Sequence, residues 1–250
     1  MSILVTLPEQ LYSKTAFAGF SEDSKPTLAT ARAMMWMSQL AYETGDPDKI
    51  THIRSLWGID KIQPFMQRVS SNLPMSKTHG LVATKGGSVI VTFAGTDPLV
   101  LYDWIADFRT LSSTDGIHEG FQDAANAVWA EIKSAIEETA KAGRSLFITG
   151  HSLGGALAVV AAERAVRQEK LIGAAQIYTF GMPRVGKEEF VERYLKLETT
   201  TYRFVHGQAL SRRYRLRNLA SGMSGVQWSA RAEAHSRRMR LRLAKETRRR

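Results

Sequence analysis

Ser145-Leu-Phe-Ile-Thr-Gly-His-Ser-Leu-Gly-Gly155 is the stretch that decides how this 250-residue chain folds. The apolar run Ser145–Thr149 reads as a short buried strand, and the alanine-rich stretch from Leu153 to about Arg167 reads as a helix. Between them, Gly150-His-Ser-Leu-Gly154 fits the G-x-S-x-G turn that lifts a serine hydroxyl to the top of a sheet. Glycines on either side of the serine carry no Cβ, so strand and helix can crowd together around a strained turn. A serine that merely caps a helix after a glycine turn is the other reading. It leaves the strand leading in unexplained.

Working outward, Gly86-Gly87 opens the β-branched run Ser88–Phe93, which Gly95 ends, and this reads as a core strand. Phe121 to Ala142 reads as one long amphipathic helix with Gly143 at its C-terminal end. Gln176–Gly181 reads as a third strand, Lys187–Leu195 as a helix and Thr200–Val205 as a fourth strand. Upstream, Leu28–Glu43 reads as a helix with Leu28, Ala31, Met35, Met37 and Leu40 toward the core. Shorter helical pieces are expected at 48–56 and 61–69, separated by Trp57-Gly58. Strands alternating with helices predict an α/β fold with a mainly parallel central sheet flanked by helices.

Charge divides the chain. Residues 209–250 hold 13 Lys and Arg against Glu233 and Glu246, a balance of +11. Residues 1–208 hold 21 basic and 22 acidic groups and are close to neutral. The expected organisation is therefore a folded unit over 1–208 and a basic, poorly organised tail over 209–250. No cysteine is present, which removes disulfides and thiolate metal sites from consideration. The start, MSILVTLPEQLYSK, lacks a basic region followed by a long apolar one, and the apolar runs are short. A cytoplasmic protein is the expectation.

A serine hydroxyl is a weak nucleophile and needs a histidine base, an acid to orient that histidine, and N–H donors for the developing oxyanion. In a turn of this kind one donor is the residue after the serine, Leu153, and the other follows an earlier strand. Phe93-Ala-Gly-Thr96 lies in that place, making the Thr96 N–H the second donor. Ser152 is the candidate nucleophile. No cofactor or metal is called for.

The chain resembles the class 3 (fungal-type) lipase family of α/β-hydrolases over about residues 80–206. Val91-Thr-Phe-Ala-Gly-Thr96 resembles its oxyanion strand, Asp103-Trp-Ile-Ala-Asp107 its lid segment and Ile117-His-Glu-Gly-Phe121 its V-H-x-G-F turn. Gly150–Gly155 is similar to its elbow, and Tyr178–Gly186 to the strand that follows. The resemblance implies hydrolysis of acyl esters such as acylglycerols, at a lipid–water interface where the substrate is one. It implies a short lid formed by Pro98–Tyr102 with Trp104, where an ordinary buried turn is the equal alternative. It makes His118 structural and His151 part of the elbow and not the base. Thioesterase, peptidase and acyltransferase chemistry share the same elbow.

The chain departs from the family where the acid should be. After Tyr202-Arg-Phe-Val205 the family places an aspartate, and Ala209 stands in that position here; no aspartate follows Asp123. His206 and His235 are the histidines after the third strand, and His235, in an arginine-rich setting, is a weak candidate base. The fold is therefore expected to be incomplete at its C-terminal side. A catalytically crippled lipase fold that binds lipid or a partner is the alternative function. The tail reads as the product of a shifted reading frame in preference to a basic appendage binding nucleic acid or an anionic surface. It has only Tyr214 and Trp228 for stacking, and its basic residues form no clean stripe.

Overall fold

A computed structural model of the chain describes residues 6–22, 26–69, 77–96, 113–197 and 199–205. Its main sheet contains β1 (Lys61–Arg68), β2 (Lys77–Lys85) and β3 (Ser88–Phe93). A two-stranded ribbon, β4 (Ser113–Thr114) and β5 (Ile117–His118), stands apart from that sheet. The main sheet continues with β6 (Ser145–His151), β7 (Gln176–Phe180) and β8 (Thr200–Phe204). The helices are α1 (Leu28–Leu40), α2 (Pro47–Leu56), α3 (Glu119–Ala127), α4 (Trp129–Lys141), α5 (Leu153–Glu163) and α6 (Glu188–Tyr194).

Strand order is β1-β2-β3-β6-β7-β8, with β3, β6, β7 and β8 parallel and β1, β2 and β3 antiparallel. The register aligns Phe93 with Gly150 and Gly150 with Thr179, so the strand ends that precede the site lie side by side. Strands covered on both faces read as continuous apolar runs, which is why β3 and β6 were legible. Side chains alternate between two cores. Val89, Val91, Phe93, Ile148 and Ile177 face α3, α4 and α5. Ile90, Phe147, Tyr178 and Tyr202 face α1, α2 and the N-terminal segment.

Three expectations need correction. Residues 61–69 form strand β1, not a helix. Pro64 lies in its middle, which disfavours a helix interior and suits an edge strand, and β1 is the edge of the sheet. Strand β2 went unrecognised beside it. The single helix expected over 121–142 breaks at Val128, where φ −105° and ψ 7° separate α3 from α4; the break allows Val128 and Trp129 both to be buried. On α1 the buried residues include Ala31, Met34, Met37, Ser38 and Leu40, whereas Leu28 is 70% and Met35 43% exposed.

Buried polar groups tie the layers together. Thr149 on β6 shares a 2.9 Å hydrogen bond with Ser38 of α1 and donates to the Tyr178 carbonyl at 2.8 Å. The wholly buried carboxylate of Glu163 accepts from Arg167, from Gln168 at 2.7 Å and from Arg193 at 2.9 Å, joining the end of α5 to α6. A buried charge is tolerable when it is paired and hydrogen-bonded in this way. No helix among the described residues is long and apolar enough to cross a membrane.

Candidate active site

The turn between β6 and α5 is built from close approaches that only glycine permits. A Cβ on Gly150 would run into the Gly154 carbonyl group and come within 2.7 Å of the Gly155 nitrogen. One on Gly154 would strike the Phe93 carbonyl oxygen and come within 2.9 Å of the Ala94 carbonyl group. The helix start is thus pressed against both the strand that leads into it and the end of β3.

Ser152 occupies the N-cap position of α5 with φ 58° and ψ −125°, a conformation that L side chains rarely adopt. Its side chain makes no capping hydrogen bond. The simple cap reading therefore fails, because a capping serine has extended φ and an engaged oxygen. The surroundings hold the residue in place: its N–H donates to the Phe180 carbonyl at 2.8 Å, and its own carbonyl accepts from the Gly155 N–H at 3.0 Å. Non-glycine residues held at such dihedrals store about 1–3 kcal/mol and cluster where function demands a particular aim. Ser152 is 4% exposed.

Leu153 is the first residue of α5, so its N–H has no acceptor within the helix and points outward at the positive end of the helix dipole. Gly95 brings the other candidate donor close. A Cβ there would collide with the Tyr42 hydroxyl, fall 2.6 Å from the His151 carbonyl oxygen and lie 3.2 Å from Ser152 Cβ. The Ala94 N–H is spent on the His79 carbonyl at 3.0 Å. Thr96, half-buried, follows directly after Gly95, which packs against Ser152.

The histidines divide by role. His151 Nδ1 lies 2.9 Å from the Tyr42 hydroxyl, and burial lowers its pKa, which keeps the ring neutral. Its ring lines a crevice of about 180 Å³ bounded by Leu7, Met35, Trp36, Gln39 and Phe180. His118 caps α3 by accepting the Gly120 N–H at Nδ1, 3.1 Å away, which is a structural task; burial lowers its pKa against the pull of Glu119 and Asp123. His79 is pushed down to about 4 by burial and the charge of Lys77, with Thr44 at 2.6 Å from its Nδ1. The expected lid, Pro98–Tyr102 with Trp104, lies outside the described residues, as do His206, Ala209 and His235. No cluster of three or more His, Cys, Asp or Glu suited to a metal occurs among the described residues.

Two further stretches singled out in the sequence meet in space. Ile117 bridges Gly186, and the His118 N–H donates to the Val185 carbonyl at 3.2 Å. Sequence reasoning overlooked Tyr42, which reaches the elbow from 109 residues away; a contact so remote leaves no local spacing signal.

A family model described as Lipase (class 3) matches residues 90–210, a span that includes Gly95, Thr96 and the whole turn around Ser152. Residues 90–210 belong to the class 3 lipase family. This lipase-like segment is 34% identical over 127 residues to a secreted mono- and diacylglycerol lipase of Fusarium solani, covering 48% of this chain and 37% of that protein. It is 32% identical over 127 residues to a lipase of Rhizomucor miehei, covering 45% of this chain and 34% of the relative. The chain thus spans about a third of the length of these curated relatives. Among solved structures, the Rhizomucor miehei lipase–propeptide complex superposes with a TM-score of 0.54 at 23% identity, over 80% of this chain and 69% of that one. The lipase of Rhizopus microsporus var. chinensis gives 0.55 at 21%, over 82% and 76%. These superpositions establish an α/β-hydrolase fold. The Fusarium relative is named as secreted, so the expected cytoplasmic location finds no support.

Proposed function

We propose that this chain is a serine carboxylic-ester hydrolase for acyl esters such as acylglycerols, with Ser152 as nucleophile and the N–H groups of Leu153 and Thr96 as oxyanion donors. The observation that carries this reading is Ser152 at φ 58°, unengaged as a cap, between a helix start and the glycine-pinned end of β3. In the first step Ser152 Oγ bonds to the ester carbonyl carbon and gives its proton to a base. The carbonyl oxygen becomes an oxyanion held by the two N–H groups. Collapse breaks the bond to the alcohol, which leaves with a proton, and water then releases the acid by the same route. The names of the relatives as lipases, one for mono- and diacylglycerols, support the substrate class.

In this reading, residues 1–208 form the hydrolase unit and 209–250 a basic segment. The family match ends at residue 210, close to the change in charge. His79, His118 and His151 each have structural partners and His52 pairs with Glu9 on the exposed face of α2, so we look for the base outside the described residues, with His235 the weak candidate. Ala209 at the acid position predicts slow turnover, since loss of the acid's function costs roughly 10⁴-fold in the serine-triad template. That substitution also favours a second reading, a lipase fold that binds acyl chains without turning them over.

Purified chain and a Ser152→Ala variant, assayed on p-nitrophenyl butyrate, separate the readings. Turnover that depends on Ser152, well below the usual range of about 1–10³ s⁻¹, supports the hydrolase. A rate equal to that of the variant supports the binding protein. Salt-sensitive nucleic-acid binding lost on deleting 209–250 would instead place function in the tail.

A further inference from the structure

Tyr42 sits in the short 3₁₀ turn Ala41–Glu43 that follows α1, outside the segment matched to the lipase family. Its hydroxyl touches both halves of the site. On one side it lies 2.9 Å from His151 Nδ1, the residue before the nucleophile, with the two rings tilted at 59° and 6.1 Å apart. On the other, Gly95 packs so close to the same oxygen that any side chain there would collide with it. Alpha1 is itself anchored to β6 by Ser38 and Thr149, so the turn carrying Tyr42 is fixed relative to the elbow.

The arithmetic of donors gives this contact a direction. A phenol has one proton. His151 Nδ1, 2.9 Å away, is placed to take that proton, and if it does so it is the unprotonated nitrogen of the ring. Burial keeps both groups uncharged, raising the phenol's pKa and lowering the imidazole's. With the bond running from Tyr42 Oη–H to His151 Nδ1, the imidazole carries its hydrogen on Nε2. With the Ala94 N–H already given to His79 and Gly95 pressed against the Tyr42 hydroxyl, Thr96 is the next residue along the strand end.

We propose that Tyr42 is a positioning residue that clamps the oxyanion strand end to the nucleophile elbow, fixing His151 in its Nε2–H tautomer and aiming the Thr96 N–H at the ester oxygen. The proposal rests on the reading of Ser152, Leu153 and Thr96 given above. It places part of the catalytic apparatus in the N-terminal region, and it explains why His151 cannot serve as the base despite adjoining the serine.

The test is Tyr42→Phe, which keeps the ring and removes the hydroxyl, read by two independent measurements. Long-range ¹⁵N–¹H NMR of the His151 ring is expected to show the Nε2–H form in the unaltered chain and an increased Nδ1–H population in Tyr42→Phe. Ester hydrolysis is expected to lose about tenfold to hundredfold in kcat with KM changed less than twofold, below the 10²–10³ lost with an oxyanion donor itself. An unperturbed melting temperature with that kcat loss separates positioning from mere packing. An Nδ1–H tautomer in the unaltered chain would overturn the proposal, as would a Tyr42→Phe kcat within twofold of it. Should the chain hydrolyse no ester, the hydrolase reading fails, and the tautomer measurement still decides the clamp.

Discussion

The dihedral strain at Ser152 makes the nucleophile costly to the fold, and this cost can be measured. Ser152→Ala removes the hydroxyl but leaves a Cβ at φ 58°. Ser152→Gly removes both the hydroxyl and the strain. Releasing such a conformation is worth about 1–3 kcal/mol, while the extra freedom of glycine in the unfolded chain takes back about 0.5–1 kcal/mol. The loss of a small buried contact near Gly95 subtracts little more. The expected net is about 1 kcal/mol in favour of glycine over alanine, or roughly 2–4 °C in melting temperature for a domain of this size. Thermal unfolding of the two variants, side by side at pH 7, reads the difference with the chemistry already removed from both. If Ser152→Gly melts below Ser152→Ala, the turn is not strained as described, and the argument from backbone geometry to function fails.

Gly95→Ala should destabilise the fold by about 1–3 kcal/mol through overpacking and cut ester turnover by about 10²–10³ by displacing Thr96, read by unfolding and kinetics together. Thr96→Ser should be mild, whereas Thr96→Pro, which deletes the N–H, should lose about 10²–10³ in kcat; equal rates would remove Thr96 from the site. Glu163→Ala removes the buried carboxylate shared by the partly exposed Arg167 and Arg193 and should cost about 1–3 kcal/mol, measured by denaturant unfolding. His79 has a folded pKa of about 4, below its unfolded value near 6.5, so the unfolded state binds more protons between these pH values. Its stabilising contribution is present above about pH 6.5 and is lost as pH falls toward 4. His79→Gln should flatten that part of the stability–pH curve.

Legibility followed the range of the interactions. The elbow was readable because its strand, glycines and helix are contiguous, β3 because a doubly covered strand is apolar throughout, and β7 and β8 because they are rich in β-branched and aromatic residues. Strand β1 was misread because an edge strand with little of its surface buried shows neither period clearly; Phe65 is its sole fully buried side chain. The break at Val128 lay hidden in a continuous helical pattern, since it serves packing and not local propensity. Thr96 and Leu153 were placed by their distance along the chain from a strand end and a serine. Tyr42 could not be, because its partners Gly95 and His151 are brought to it only by the sheet register and by α1.

The central claim is that Ser152 is the nucleophile of an acyl-ester hydrolase. Incubating the purified chain with an alkyl fluorophosphonate, followed by peptide mass spectrometry, tests it most directly. The account predicts one adduct, on Ser152, that is absent from Ser152→Ala and is accompanied by loss of whatever p-nitrophenyl butyrate turnover the chain shows. An adduct on another residue, or turnover that persists unchanged in Ser152→Ala, would contradict it.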